Sequence, residues 1–521
     1  MSAPNPDTPG EDTADDVDVV VVGGGNAGFC AAHAARERGA RVLVLEKAPE
    51  DEAGGNSYYT AGAFRVVHHG AEALRPVLDD ATLARLADTD LAPYTAAEFT
   101  ADMERLTGGR CDPAMTRRLV DDSEDLVPWL AAKGIRWRLM YERQAYRSGD
   151  RWVFWGGLAL GTVDGGKGLV ADHVAAAAST GVDVRYGAAC TGLRRDGGAV
   201  VGVRYRDEGG AEHEVRARAV VLAAGGFESD PSRRARHLGP RWDGAIVRGT
   251  PHNTGEVLDL AIGAGAARGG DWASCHSVAW DAGGPPQGGD RHLTNQRTRQ
   301  SYPLGIVVNR DGERFLDEGA DFRNYTYAKY GAEILAQPGG IAFQLFDATT
   351  RPLLRVEEYE SEPITMAEAD TLAALARALG IDPDGLERTV SAFNASIVDA
   401  PFDPAIKDGR AARVEPPKSN WANPLAAPPF YGYAVRCGIT FTFGGVAIDD
   451  DARVVDDAGR PIPGLYAAGE LAGGLFSGNY PGGSGLTAGG VFGRRAGAHA
   501  GSIACGGALP TITSSAPEAS P

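Results

Sequence analysis

Near the start of the chain an apolar run, Val17 to Val22 (VDVVVV), passes directly into Gly-Gly-Gly-Asn-Ala-Gly and then into helical spacing through Arg38. A continuous apolar run bounded by glycines reads as a strand buried on both faces, the habit of parallel sheets. Gly39 ends the helical pattern, and Arg41–Leu45 (RVLVL) supplies the next strand. Strand, helix and strand over about 30 residues make a βαβ unit. The glycines fall as Gly23-x-Gly25-x-x-Gly28, with Asn26 and Ala27 between the last two. That spacing permits a tight turn, close approach of a pyrophosphate and close helix–strand packing. The helix N-terminus offers its free N–H groups to phosphates. Glu46, followed by Lys47, ends the second strand, where a carboxylate can accept hydrogen bonds from ribose hydroxyls. The unit predicts a dinucleotide site; a purely structural glycine turn is the alternative reading.

The chain has 521 residues, enough for more than one domain. Residues 80–150 look mainly helical. The segments VDVRYG, AVVGVRYRD and EHEVRARAVVLAAGG then read as a meander with tight turns such as Asp196-Gly197-Gly198. Residues 271–436 carry more aromatic, Arg and Pro residues and read as an α+β insertion; strands and Gly-rich turns return from Tyr433. The expected fold class is α/β. A Rossmann-like domain with a parallel sheet and a β-meander, residues 17–270 with 437–505, is interrupted by a capping domain, 271–436. A ligand crevice belongs between them. The tails, 1–16 and 506–521, are expected to be disordered.

The net charge of -18 argues against nucleic acid and anionic membrane as partners. No run of 18 apolar residues exists to span a bilayer, and the acidic N-terminus lacks the apolar core of a signal peptide. None of the six cysteines lies in a C-x-x-C pair, so no metal or iron–sulfur site is suggested. Scattered single cysteines fit a reducing compartment, and the cytoplasm is the expected place.

Further motifs decide which dinucleotide. Gly54-Gly55-Asn56-Ser57 is followed by Thr60-Ala61-Gly62. Far downstream, Leu465-Tyr-Ala-Ala-Gly469-Glu470 precedes Gly482-Gly-Ser484-Gly485-Leu486-Thr487 at the start of a last apolar helix. The set resembles the flavoprotein subunits of the fumarate reductase/succinate dehydrogenase family. Its soluble branch includes urocanate reductases, 3-ketosteroid dehydrogenases and tricarballylate dehydrogenases. The resemblance covers roughly residues 17–505. It implies FAD, with Gly23, Gly25 and Gly28 at the pyrophosphate and Glu46 at the adenosine ribose. Asn56 and Ser57, beside Gly55, Ala61 and Gly62, would lie along the isoalloxazine, and Ala224 and Gly225 near the adenine half. Glu470, after Gly469, would meet the ribityl chain. Ser484 and Leu486, with Gly485 and Thr487, would face the pyrimidine edge. Members that attach FAD covalently use a His; here Gly55-Asn-Ser-Tyr-Tyr59 has none, which implies non-covalent FAD.

Fumarate reductases of the family hold a dicarboxylate with two histidines and two arginines. His276 and Arg323 match one of each, Arg323 after Gly312-Glu-Arg-Phe-Leu-Asp-Glu318. The other two positions carry Phe441 and Tyr480. Tyr480-Pro-Gly resembles the stretch in 3-ketosteroid dehydrogenases whose Tyr polarises a ketone, whereas Phe315–Lys329 looks closer to tricarballylate dehydrogenases. A phenol is a single neutral donor and no substitute for a bidentate guanidinium. The resemblance implies hydrogen transfer across a carbon–carbon bond beside a carboxylate or ketone. Arg323, Tyr480 and His276 are its catalytic candidates, with Tyr302 and Tyr325 as rivals for the proton. Basic residues Arg291, His292, Arg297 and Arg299 join Arg323 in suiting an anionic substrate, although no Glu between Arg291 and Arg310 supplies an arginine relay. An external electron carrier or acceptor is implied. A flavin monooxygenase and a non-catalytic FAD-binding protein remain the alternatives.

Overall fold

A computed structural model describes residues 15–507. The expected tail segments 1–14 and 508–521 lie outside the described residues. The first strand begins at Asp15, inside the expected tail, because its parallel partner Glu212–Leu222 is long enough to extend the ladder. Asp16 sits opposite Arg216 in that register.

The larger sheet has eight strands. Asp15–Val22 lies at its centre, parallel to Val42–Leu45 on one side and to Glu212–Leu222 on the other. Val19, Val20, Val21 and all of Val42–Leu45 are buried, as an apolar run in a parallel sheet requires. The meander consists of Ala189–Asp196, Ala199–Arg206 and Glu212–Leu222. VDVRYG is not part of it. Its core, Asp183–Arg185, pairs in parallel with Val42–Leu45 at the opposite edge. The Gly165–Thr180 helix precedes it, and a strand that follows a crossover helix enters parallel. Pro461–Ala467 joins the C-terminal half of Glu212–Leu222 and returns the end of the chain to the nucleotide-binding sheet.

Residues 80–150 hold the helices Ala96–Thr107 and Pro113–Ala131, but short strands at Thr89–Asp90, Trp137–Leu139 and Ala145–Ser148 break the expected helical stretch. A second sheet of six strands is built on Phe430–Val446, which pairs antiparallel with Arg268–Asp281 and with Ile341–Phe346. The expected domain limits at 270 and 437 fall inside these two strands. Among the described residues no helix is long and apolar enough to cross a membrane.

The helices Asn26–Glu37 and Ser484–Ala504 meet almost backbone to backbone. Gly489, Gly493, Gly497 and Gly501 recur every fourth residue and so share one helix face. A Cβ on Gly493 would lie 2.3 Å from the Ala27 carbonyl oxygen, and one on Gly497 2.0 Å from that of Ala31. Neither backbone can yield without parting the helices. Gly497→Ala is expected to lower stability by about 3 kcal/mol through overpacking, read as a shifted urea midpoint; an unchanged midpoint would show that the helices can separate freely.

Candidate active site

A cavity of about 640 Å³ runs from the Gly23–Ala27 turn, past Glu46, to the junction with the six-stranded sheet at Thr440–Phe443. At the turn Gly23, Gly25, Asn26 and Ala27 line it. Gly23 has φ +110°, and a Cβ there would stand 2.3 Å from the Ala223 carbonyl oxygen; only glycine fits such a turn. Gly28 faces away, its Cα closing onto the Gly23 carbonyl at a built Cβ distance of 1.9 Å. It serves helix–strand packing, the third role of the fingerprint. Gly25 caps the helix without a side-chain hydrogen bond, so that N-terminus suits a phosphate.

Glu46 and Lys47 also line the cavity. The buried Glu46 carboxylate accepts from the Gly24 N–H at 2.7 Å and the Ala48 N–H at 2.8 Å, which fixes its orientation. Its remaining lone pairs suit ribose hydroxyls. Gly55, Asn56, Ser57 and Ala61 form another wall, Ala224 and Gly225 a third, and Gly469, Glu470, Gly485 and Leu486 a fourth. Gly62, Ser484 and Thr487 do not line it. Gly62 packs against Thr162, and Thr487 donates to the Arg65 carbonyl at 2.8 Å. Ser484 is fully buried at the start of the last helix. Asn26 ties the walls together. Its N–H donates to Ser57 Oγ at 3.0 Å and its Nδ2 to the Leu486 carbonyl at 2.9 Å. These residues fit FAD.

Two buried glutamates meet at one wall. Glu228 Oε1 accepts from Asn56 Nδ2 and Asn253 Nδ2, each at 2.7 Å. Glu470 Oε1 accepts from the Thr442 N–H at 2.8 Å. Burial, and the adjacent Glu228, push the Glu470 carboxyl well above the usual carboxylate range. Burial likewise raises Glu228. Two buried carboxyls side by side hold one proton between them, and Asn56 and Asn253 favour charge on Glu228.

At the substrate end the cavity is lined by Arg143, Arg248, Arg323, Tyr327, Phe441 and Tyr480. Arg323 opens the Arg323–Leu335 helix. Its Nη1 donates to Gln300 Oε1 at 2.6 Å and its Nη2 to the Arg143 carbonyl at 2.7 Å, while Nε finds no partner. Burial, then the neighbouring Arg355 and Arg143, push its pKa down to about 9. Tyr480 and Tyr327 share a hydroxyl hydrogen bond of 2.6 Å; burial raises the Tyr480 pKa well above the usual phenol range. His276 is completely buried with both ring nitrogens unpartnered. It stacks behind Phe441 at 5.2 Å and is outside the cavity lining. Burial, aided by Arg248, keeps it neutral, well below its ordinary pKa.

The rival tyrosines turn away: Tyr302 bonds Thr326 at 2.7 Å, and Tyr325 donates to Asp102 at 2.6 Å. Of the expected basic cluster only Arg323 reaches the cavity. Arg297 pairs with Asp290 and Arg299 with Asp281, while Arg291 lies over the Tyr58 ring. Sequence reasoning missed Arg143, Arg248 and Tyr327. Arg248, in Val247-Arg-Gly-Thr250, carried a signal: a lone Arg between an apolar strand and a Gly turn. It also missed the glutamate among the arginines. Glu358, on the Val356–Tyr359 turn, pairs with Arg143 at 2.9 Å and Arg355 at 3.8 Å. No spacing rule connects these positions.

The Glu470 proton gives a stability signature. A carboxyl whose folded pKa is raised holds a proton that the unfolded chain has already lost, so stability falls as pH rises above the ordinary value of 4.5. In FAD-loaded protein, Glu470→Gln should lose less Tm than the wild type between about pH 5 and pH 8. Parallel Tm curves would show that the pair ionises freely.

The model for the FAD binding domain family matches residues 18–486. A fumarate reductase (cytochrome) of Shewanella frigidimarina is 30% identical over 498 residues, 93% of this chain and 77% of that protein. A 3-oxosteroid 1-dehydrogenase of Mycobacterium tuberculosis is 28% identical over 90% of this chain and 95% of its own. The structure of a flavocytochrome fumarate reductase in its open conformation superposes with a TM-score of 0.71 at 27% identity, covering 94% of this chain and 79% of that one. A 3-ketosteroid dehydrogenase from Sterolibacterium denitrificans shares the fold, with a TM-score of 0.72 at 22% identity over 94% of this chain and 100% of that one. The cavity residues and these likenesses agree: the chain belongs to the FAD-binding flavoprotein family of fumarate reductases and succinate dehydrogenases, with 3-ketosteroid dehydrogenase-like relatives, and is an FAD-dependent oxidoreductase acting on CH–CH groups.

Proposed function

We propose that the protein adds or removes hydrogen across a carbon–carbon bond adjacent to a carboxylate, in the manner of a tricarballylate dehydrogenase. Arg323 moves the proton and Tyr480 donates to a substrate oxygen. The observation that carries this is Arg323 itself, a buried guanidinium at the cavity with no carboxylate partner among the described residues. Bound FAD supplies the two-electron acceptor or donor. Gly23, Gly25 and Glu46 would hold its adenosine diphosphate half, and Asn56, Glu470 and Leu486 its flavin half.

A proton beside a carboxylate leaves only if the developing negative charge is stabilised. The Arg323 guanidinium is held by Gln300 and the Arg143 carbonyl, which leaves a second N–H on each Nη for that task. Its pKa of about 9 brings proton transfer closer to neutral pH than a solvated Arg allows. Arg143, Glu358 and Arg355 form a charged array next to it that carries the proton onward. Tyr480, oriented by Tyr327, offers one hydroxyl. The second reading is enone formation in a ketone, as in 3-ketosteroid dehydrogenases. The observation favouring it is the Tyr480–Tyr327 hydroxyl pair against the Phe441 and Phe476 rings. We further propose that residues 271–436 act as a cap. FAD is held without a covalent bond, because Gly55–Tyr59 offers no His. Six cysteines without disulfides support the cytoplasm, with an external electron carrier.

Acid precipitation should release yellow flavin into the supernatant; flavin retained in the pellet would show a covalent link. Arg323→Lys keeps the charge but loses the planar fork. Its turnover should fall by about two orders of magnitude with FAD retained. Tyr480→Phe should slow anaerobic flavin bleaching about ten- to a thousandfold. Bleaching by carboxylates supports the first reading and bleaching by ketones alone the second; normal turnover in Arg323→Lys rejects the assignment of the proton.

A further inference from the structure

Beside Tyr480, lining the same cavity, stands a cation that the sequence motifs did not single out. Arg248 follows the short strand Ile246–Val247, which pairs with Phe430–Val446. Its side chain is almost fully buried, at 7% exposure. Nη1 donates to Thr440 Oγ1 at 2.9 Å, Nη2 donates to Asn295 Oδ1, and Nε finds no partner. No carboxylate within ion-pair distance neutralises it among the described residues. A buried, uncompensated guanidinium is costly to a fold unless something else supplies the negative charge.

The charges around the site can be counted. Arg143, Arg248, Arg323 and Arg355 carry four positive charges. Glu357 and Glu358 carry two negative ones, both facing Arg143. His276 sits behind Phe441 and adds no charge. Against these six groups stands the single negative charge shared by Glu228 and Glu470 at the adjoining wall, so a positive surplus remains, and the two arginines without a carboxylate, Arg248 and Arg323, are both at the cavity wall. A second cavity of about 700 Å³ adjoins the first, sharing Thr60, Ala61, Arg143 and Asn295 with it. Its walls add Arg136 and Arg138, which pair with Asp172 and Glu142, and Lys167 beside Asp164.

We propose that Arg248, seated on Thr440 and Asn295, is the anchor for a second substrate carboxylate, so that the substrate is a dicarboxylate or tricarboxylate. This rests on the reading of Arg323 as the group beside the first carboxylate. The fork that the phenol at Tyr480 cannot provide comes instead from another segment lining the same cavity. A guanidinium presents planar, paired donors to a carboxylate, and Thr440 and Asn295 each take one N–H, leaving the second N–H on each Nη for such a fork. A neutral ketone leaves the Arg248 charge without a counter-ion.

The test is isothermal titration of FAD-loaded protein in low-salt buffer with butanoate, succinate and tricarballylate. Succinate or tricarballylate should bind at least ten times more tightly than butanoate. Arg248→Met should weaken that ligand at least tenfold, leave butanoate unchanged, and keep the yellow flavin. Arg248→Lys, which keeps the charge, should lose less. Butanoate binding as tightly as the larger acids, no binding by either of them, or unchanged affinity in Arg248→Met would each overturn the proposal. Flavin bleaching by carboxylates is read separately: its loss rejects the proposed reaction, whereas bleaching without a preference for two carboxylates rejects only the role of Arg248.

Discussion

The contact between the helices Asn26–Glu37 and Ser484–Ala504 has almost no side chains in it. Glycines on the last helix let its backbone rest on Ala27 and Ala31 of the first. Dispersion and burial act over the full length of both helices only because nothing holds them apart. The cofactor cavity depends on that closeness. One wall is the turn that opens the first helix, and another is the start of the last. The Asn26 side chain spans the gap to the Leu486 carbonyl at 2.9 Å. Had the helices kept the spacing that leucines impose, that hydrogen bond would not reach.

The far end of the cavity is governed by charge. Buried ions are tolerated when each has a partner, and most here do. Arg299 pairs with Asp281 and Arg495 with Asp122. Glu470 avoids charge by keeping its proton. Arg234 and Lys418 are held by backbone carbonyls alone; Arg248 and Arg323 also lack a carboxylate among the described residues, and these two stand at the cavity. Binding sites are where a fold tolerates such electrostatic strain, since a ligand of opposite charge relieves it. Phe441, Tyr327 and Tyr480 surround the arginines with low-polarity rings, which strengthens whatever charge pairing takes place among them.

The strand–turn–helix unit, the glycine fingerprint, Glu46, and the pairing of Gly469-Glu470 with the last helix were legible in the sequence, and the structure brings them together around one cavity. These features are local. Glycine positions and apolar periodicity dictate the backbone path over a few residues, whatever the rest of the chain does. The same rules misplaced Asp183–Arg185, since a three-residue strand carries no mark of which neighbour it will join. Tyr480 and Arg323 were found through resemblance and do line the cavity, whereas His276 lies behind Phe441. What only the tertiary structure decided was the company the arginines keep. Arg143, Arg248, Arg323 and Glu358 come from four separate segments. A side chain's partner across hundreds of residues is set by how the six-stranded sheet folds back over the eight-stranded one, and no spacing in the sequence records that closure.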